Sequence, residues 1–194
     1  MVRRLIGTVL SLGMLVGCGH DQSKTVDNAL AAELKDAPEW VRGDCKSWFK
    51  KNSQSVVCGV GSVAGTANIS LARSGATGRA RTEIARGLAV KVKSMLKDYQ
   101  ATATGGDQFK KAAMDEQQIQ DVSKQITDQT IEGTEVNQTW ISGQGTFWAL
   151  VSMNAAAFGE QLKQMKSLDE AIRAAVAARA EKAFSELDDA TGPR

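Results

Sequence analysis

The sequence predicts an α+β fold: a three-stranded antiparallel sheet packed by long helices, with a further long helix at the C-terminal end. Three observations carry that expectation. A β-branched, apolar run from Ser55 to Val63 precedes a stretch, Asn68 to Tyr99, whose apolar residues recur with helical spacing. Two more β-rich runs, Ile131 to Ser142 and Thr146 to Met153, are joined by Ser142-Gly143-Gln144-Gly145, whose glycines permit the positive φ of a hairpin turn. Helical spacing returns from Ala155 to Asp189. A chain of 194 residues provides for one ordinary domain with tethers, not two.

The first segment lies outside that domain. Arg3 and Arg4 give a positive start, Leu5 to Val16 an apolar run, and Leu15-Val16-Gly17-Cys18 a small-residue site ending in cysteine. Together they read as a lipoprotein secretory signal over residues 1–17. An apolar run of about a dozen residues is too short for the roughly 20 that a bilayer core requires of a helix, so removal after export is expected. Cys18 is then the lipidation site, because a thiol attacks a lipid donor readily and leaves its amine free for a further palmitoyl-type chain. Gly19 follows it, rather than the aspartate that retains lipoproteins at the inner membrane. The expected location is the outer membrane, lipid-anchored, with the domain facing the periplasm.

Residues 18–37 are polar and alanine-rich and carry no aromatic residue, which suits a tether with room for a short helix around Asp27 to Lys35. The folded domain is expected over 38–154. It opens at Pro38-Glu39-Trp40-Val41, where proline stops a preceding helix and Trp40 is the first large side chain available for burial. From Gly43 to Asn52 polar turn residues surround Trp48 and Phe49, predicting an irregular segment. Cys45 and Cys58 sit in a compartment that permits disulfides, so a bridge between them is expected; the alternative is two separate buried thiols. Their spacing is far wider than that of a two-residue redox motif.

Ser55 to Val63 is apolar on both parities and reads as a buried strand, with Gly59 and Gly61 implying close approach of another element. Gly59-Val60-Gly61 falls short of a dinucleotide loop: the next glycine is Gly65 rather than position 64, and no acidic residue ends a second strand at the required distance. The helix from Asn68 to Tyr99 places Ala72, Ala76, Ala80, Ile84, Leu88, Val92 and Met95/Leu96 on one face. Its other face carries Arg73, Arg79, Arg81, Arg86, Lys91, Lys93 and Lys97 with only Glu83 and Asp98 among them. An ordinary solvated face explains that stripe; contact with anionic lipid headgroups or an acidic partner is the functional alternative, with Arg79 and Arg86 as its candidates. Thr102 to Gly106 reads as a flexible connection and Asp107 as a cap. Gln108 to Gln129 reads as a second helix whose thin apolar stripe puts it on the outside of the domain.

In the hairpin, the arm with Glu135, Asn137, Gln138 and Thr139 is expected at an edge. Phe147-Trp148-Ala149-Leu150-Val151, apolar on both faces, is expected at the centre, which gives the order 1-3-2. The final segment, 155–194, reads as one helix carrying Phe158, Leu162, Met165, Leu168, Ile172, Val176, Ala180, Phe184 and Leu187. That stripe is divided equally between packing on its own sheet and pairing with another subunit.

Charge and side-chain chemistry exclude several function classes. The 24 basic residues include Arg3 and Arg4, so the chain after cleavage has 22 bases against 22 acids. A neutral chain lacks the clustered basic face that nucleic acid requires. The single histidine, His20, lies beside the lipid attachment site; no histidine, cysteine and carboxylate set has metal spacing, and no serine lies in an elbow motif. Asp115/Glu116 and Asp188/Asp189 read as helix-surface pairs, and Glu132 with Glu135 does not by itself define a site. The expectation is a non-enzyme with no metal and no cofactor beyond the lipid on Cys18. The binding alternative uses Trp140 and Trp148 as a stacking platform for a small envelope ligand such as a peptidoglycan fragment; the simpler reading makes both tryptophans core.

Pro38-Glu39-Trp40-Val41, Gly59-Val60-Gly61-Ser62, Ala80-Arg81-Thr82-Glu83-Ile84-Ala85, Gly133-Thr134 with Trp140, and Gly145-Thr146-Phe147-Trp148-Ala149-Leu150-Val151 follow one another behind a lipid-attachment cysteine. In that order, over about residues 38 to 154, the chain resembles the Lpp-twenty family of bacterial outer-membrane lipoproteins. The resemblance implies a dodecin-like domain, a helix packed across a three-stranded antiparallel sheet. It also implies mostly non-enzymatic roles: surface antigens, and a flagellar lipoprotein of an outer-membrane-associated ring at the motor. The Cys45/Cys58 insertion and the long terminal helix depart from the family's pattern and weigh against the flagellar role. The expected function is a structural or assembly component, joined to the outer membrane by its lipid and to copies of itself or an envelope complex, the flagellar motor being one candidate.

Overall fold

The computed structural model describes residues 28–43, 45–49, 56–103 and 114–190, with side chains of the last helix described to 184. The leader, Cys18, His20, tether residues 18–27, Asp107 and residues 108–113 of the expected second helix lie outside the described residues, as do residues 50–52 of the irregular segment.

Strands β1 (Val56–Val63), β2 (Glu135–Ile141) and β3 (Phe147–Asn154) form one antiparallel sheet in the order β1-β3-β2, as the sequence predicts. β3 takes the centre because both its faces are apolar and both are covered. Its register sets Gly61 opposite Ala149 on one side and Trp140 opposite Trp148 on the other. The hairpin closes through Gly145 at φ 84°, and the Ser142 hydroxyl oxygen accepts the backbone N–H groups of Gln144 and Thr146 at 3.3 and 3.0 Å.

Among the described residues, six α-helices accompany the sheet: α1 (residues 28–33), α2 (Glu39–Arg42), α3 (Ile69–Ala103), α4 (Glu116–Thr130), α5 (Ala155–Gln164) and α6 (Glu170–Ala190). Helix α3 starts where the Asn68 carboxamide oxygen accepts the N–H groups of Ser70 and Leu71, both at 3.1 Å, satisfying donors that the first turn leaves free. Its small residues come first, Ala72, Ala76 and Ala80, and lie over the sheet; its larger ones, Ile84, Leu88, Val92 and Leu96, form the core with α4, α5 and α6. A Cβ added at Gly61 would lie 2.0 Å from the Ala76 carbonyl oxygen, and one at Gly59 would lie 2.5 Å from that of Ala80. The strand's glycines therefore set the depth at which α3 sits.

Two helices differ from expectation. The second helix starts at Glu116, not at residue 108: Asp115 is extended and caps it through a reciprocal box with Gln118, a stronger local start than continuing from 114. The predicted single helix from Ala155 to Asp189 is two. Residues 165–169 turn the chain back, and the Asp169 carboxylate accepts the N–H of Ala171 at 2.8 Å to start α6 afresh. Met165 and Leu168 stay buried inside that turn, so helical spacing persists through a break.

The opposite face of the sheet is covered by the N-terminal segment. Trp40 of α2 and Phe49 pack on Val56 and Leu150, with Cys58, Val60, Trp140 and Trp148 beside them. Cys45, in the helical turn Cys45–Trp48, is bonded to Cys58 of β1 with a Cα separation of 6.0 Å, which staples this cover to the sheet. By chain entropy the short closed loop contributes about 3 kcal/mol. The Cys45→Ala/Cys58→Ala double variant is expected to lose that amount in urea unfolding and to become insensitive to reductant; a wild-type midpoint unmoved by reductant would show that the thiols are not bridged.

Candidate functional site

The residues singled out by sequence fall at three places. Trp140 and Trp148 meet directly, facing one another across β2 and β3 on the face away from α3. Both are half-buried, in the cluster with Trp40 and Phe49. The Trp148 indole N–H donates to the Glu33 carboxylate of α1 at 3.4 Å. Ser142 and Thr146, at the hairpin tip, hydrogen-bond the same carboxylate. Part of the expected tether is thereby clasped against the turn, and Ala37 after it is buried.

Partial burial raises the Glu33 pKa, but hydrogen bonds from Ser142, Thr146 and Trp148 together more than offset it and hold the carboxyl below its ordinary value. A depressed acid stabilises the fold above its unfolded pKa and loses that contribution as pH falls through the folded one, so the clasp is full at neutral pH and opens only on the acid side of the usual glutamate range. Glu33→Gln is expected to speed protease cleavage within 28–37 several-fold at pH 7 while leaving global unfolding nearly unchanged. Equal cleavage rates in variant and wild type would mean the carboxylate does not hold this segment.

Arg79 is the second place. It reaches over β1 and donates to the Ser62 carbonyl, while Glu83, one turn on, accepts the Val60 N–H at 2.7 Å. The basic face of α3 is in large part committed internally: Arg81 Nε donates to Thr134 Oγ1 at 2.9 Å, and Lys93 and Lys97 pair with Glu116 at 2.6 and 3.2 Å. Hydrogen bonds from these two ammonium groups keep the Glu116 carboxyl below its ordinary range. Arg86 is the third place. It lies on a groove of about 480 Å³ between α3 and α4, floored by Ala85, Ala89, Val90 and Ser123, with Lys124 on the far rim.

The structure brings the two tryptophans together and leaves Arg79 and Arg86 at separate places on α3. Sequence reading missed Glu33, whose partners lie more than a hundred residues away. It also passed over Glu83, which stood out only as one of two acids amid the basic stripe, four residues from Arg79. Among the described residues, no helix is long and apolar enough to cross a membrane. A family model described as LPP20 lipoprotein matches residues 11–154, running from within the expected leader to the end of β3. No curated protein matches the chain.

Proposed function

The chain belongs to the LPP20 lipoprotein family, a family of envelope lipoproteins, and from that premise we propose that it is a non-catalytic assembly component, anchored in the outer membrane through lipid on Cys18 and facing the periplasm. The observation that carries this reading is the clasp of α1 onto the hairpin tip. From Cys18 to the start of α1 runs a chain of roughly ten residues, which spans at most about 35 Å. With α1 fixed to the domain by Glu33, the domain stays beside the bilayer that holds its lipid. A rigid body kept at that range serves as an attachment point for copies of itself or for a larger envelope machine, of which the flagellar motor is one candidate. The peptidoglycan-fragment platform is the weaker reading, because the Trp148 indole N–H is already bonded to Glu33 and both rings pack within an apolar cluster.

Crosslinking in intact cells, followed by membrane fractionation and mass spectrometry, tests the proposal. Wild type is expected in the outer-membrane fraction, crosslinked to copies or to envelope proteins; Cys18→Ser is expected to leave that fraction. Only uncrosslinked monomer, confirmed by sedimentation, would overturn the assembly role, and an unmoved Cys18→Ser variant would overturn the anchor.

A further inference from the structure

The two edges of the sheet are finished differently. On β1, residues 57, 59, 61 and 63 bond to β3, so Val60 and Ser62 turn their backbone groups outward. Both residues are met from α3, the N–H of Val60 by Glu83 and the C=O of Ser62 by Arg79. With these two groups taken, the outward row of β1 is interrupted and is the poorer template for another strand.

On β2 the pairing of Trp140 with Trp148, and the bond from the Ser142 N–H to the Thr146 carbonyl, place residues 138, 140 and 142 toward β3. Thr139 and Ile141 therefore turn their N–H and C=O groups outward, and among the described residues no side chain bonds them. Ile141 is 49% exposed and Val136 47%. No charged residue occurs from Val136 to Gly159, so after Glu135 at its start the hairpin lacks the charges that usually deter strand addition.

We propose that β2 pairs antiparallel with the same strand of a second copy, with the dyad at Trp140. In this register Thr139 lies opposite Ile141 of the partner subunit, and the reverse, so each outward donor meets an outward acceptor and the two sheets join into one. Charge selects the occupant: an uncharged strand complements an uncharged strand, and a second β2 supplies one. The only acid in β2, Glu135, lies beyond the stretch that pairs and meets no like charge across it. The irregularity between Val136 and Gln138 ends the pairing on that side. The interrupted edge of β1 disfavours growth beyond two copies, and the dyad at β2 gives a closed pair rather than a fibre. This deepens the assembly reading, on which it rests, and anchoring at a membrane favours it by confining copies to one surface.

Thr139→Cys and Ile141→Cys are made as separate full-length variants and oxidised in membranes, singly and co-expressed. Opposed residues of a bonded antiparallel pair have Cα atoms about 5.5 Å apart, within disulfide reach. A disulfide-linked dimer is expected from co-expression and only background from either variant alone; no link on co-expression, or equal links from single variants, would overturn the register. Thr139→Pro removes one outward N–H while sparing the ladder to β3. It is expected to shift the detergent-solubilised protein from dimer to monomer in sedimentation with unchanged melting. A dimer that survives Thr139→Pro overturns edge pairing and leaves the assembly reading standing, whereas a wild type that is monomeric at every concentration, and uncrosslinked in cells, overturns both.

Discussion

Gly61→Ala is expected to cost about 3 kcal/mol, a large share of the stability of a single domain, although it adds a single methyl group. The added Cβ would lie 2.0 Å from the Ala76 carbonyl oxygen and 2.5 Å from the Ala80 amide nitrogen. Both are backbone atoms of α3, so no rotamer change relieves the overlap, and the helix would have to lift from the sheet along its length. Gly78→Ala supplies the contrast on the same helix: nothing lies within 4 Å of a Cβ there, and replacing a mid-helix glycine is expected to stabilise by about 0.5–1 kcal/mol. Urea unfolding of the two variants should therefore move in opposite directions. A Gly61→Ala variant as stable as wild type would show that α3 does not rest on β1. The contact also has a consequence at the sheet edge. Arg79 and Glu83 reach the outward groups of β1 only because α3 lies this close, so surviving Gly61→Ala protein is expected to aggregate through both edges rather than one.

The strand order and the helix over the sheet were legible because their signals are local and mutually consistent. Apolar residues on both parities marked β1 and β3, and alanines at fourfold spacing marked the part of α3 that meets glycines. The breaks were harder. Met165 and Leu168 keep helical spacing through the turn before α6, since a buried turn needs apolar side chains as much as a buried helix does. The sign that competed with it was Asp169 followed by Glu170, a start signal inside an apparent helix. Asp115 with Gln118 was a similar signal and likewise lay inside a longer apolar pattern. The candidate site was legible only in part. Trp140 and Trp148 could be paired from the hairpin alone, whereas Glu33 acquires its role only when the chain folds a distant carboxylate onto the turn. Arg79 looked like a solvated cation because a helix face and a strand edge are indistinguishable from solvent until the sheet is built.

Phe184→Ala is expected to cost about 3–5 kcal/mol, and the change should appear in the stability of the single chain rather than in its association. The C-terminal stripe by itself is equally compatible with packing inward and with pairing between subunits. Geometry decides between them. An uninterrupted helix of about 35 residues would run some 50 Å at about 1.5 Å per residue, roughly twice the length of strands of this size. Asn154 caps α5 through the Ala157 N–H at 2.7 Å, so the helix departs directly from the end of β3 and would overrun the sheet. The turn at 165–169 returns α6 across α3 and β1 and brings Phe184 to Phe158, with ring centroids 5.4 Å apart and both side chains fully buried. Phe158→Ala should cost a similar amount, and the double variant less than the sum, with a coupling of about 0.5–1.5 kcal/mol. Sedimentation of Phe184→Ala below its unfolding midpoint is expected to match wild type. A variant that dissociates while keeping its unfolding free energy would instead place the α6 stripe between subunits, and the interface at β2 would then be at most one of two.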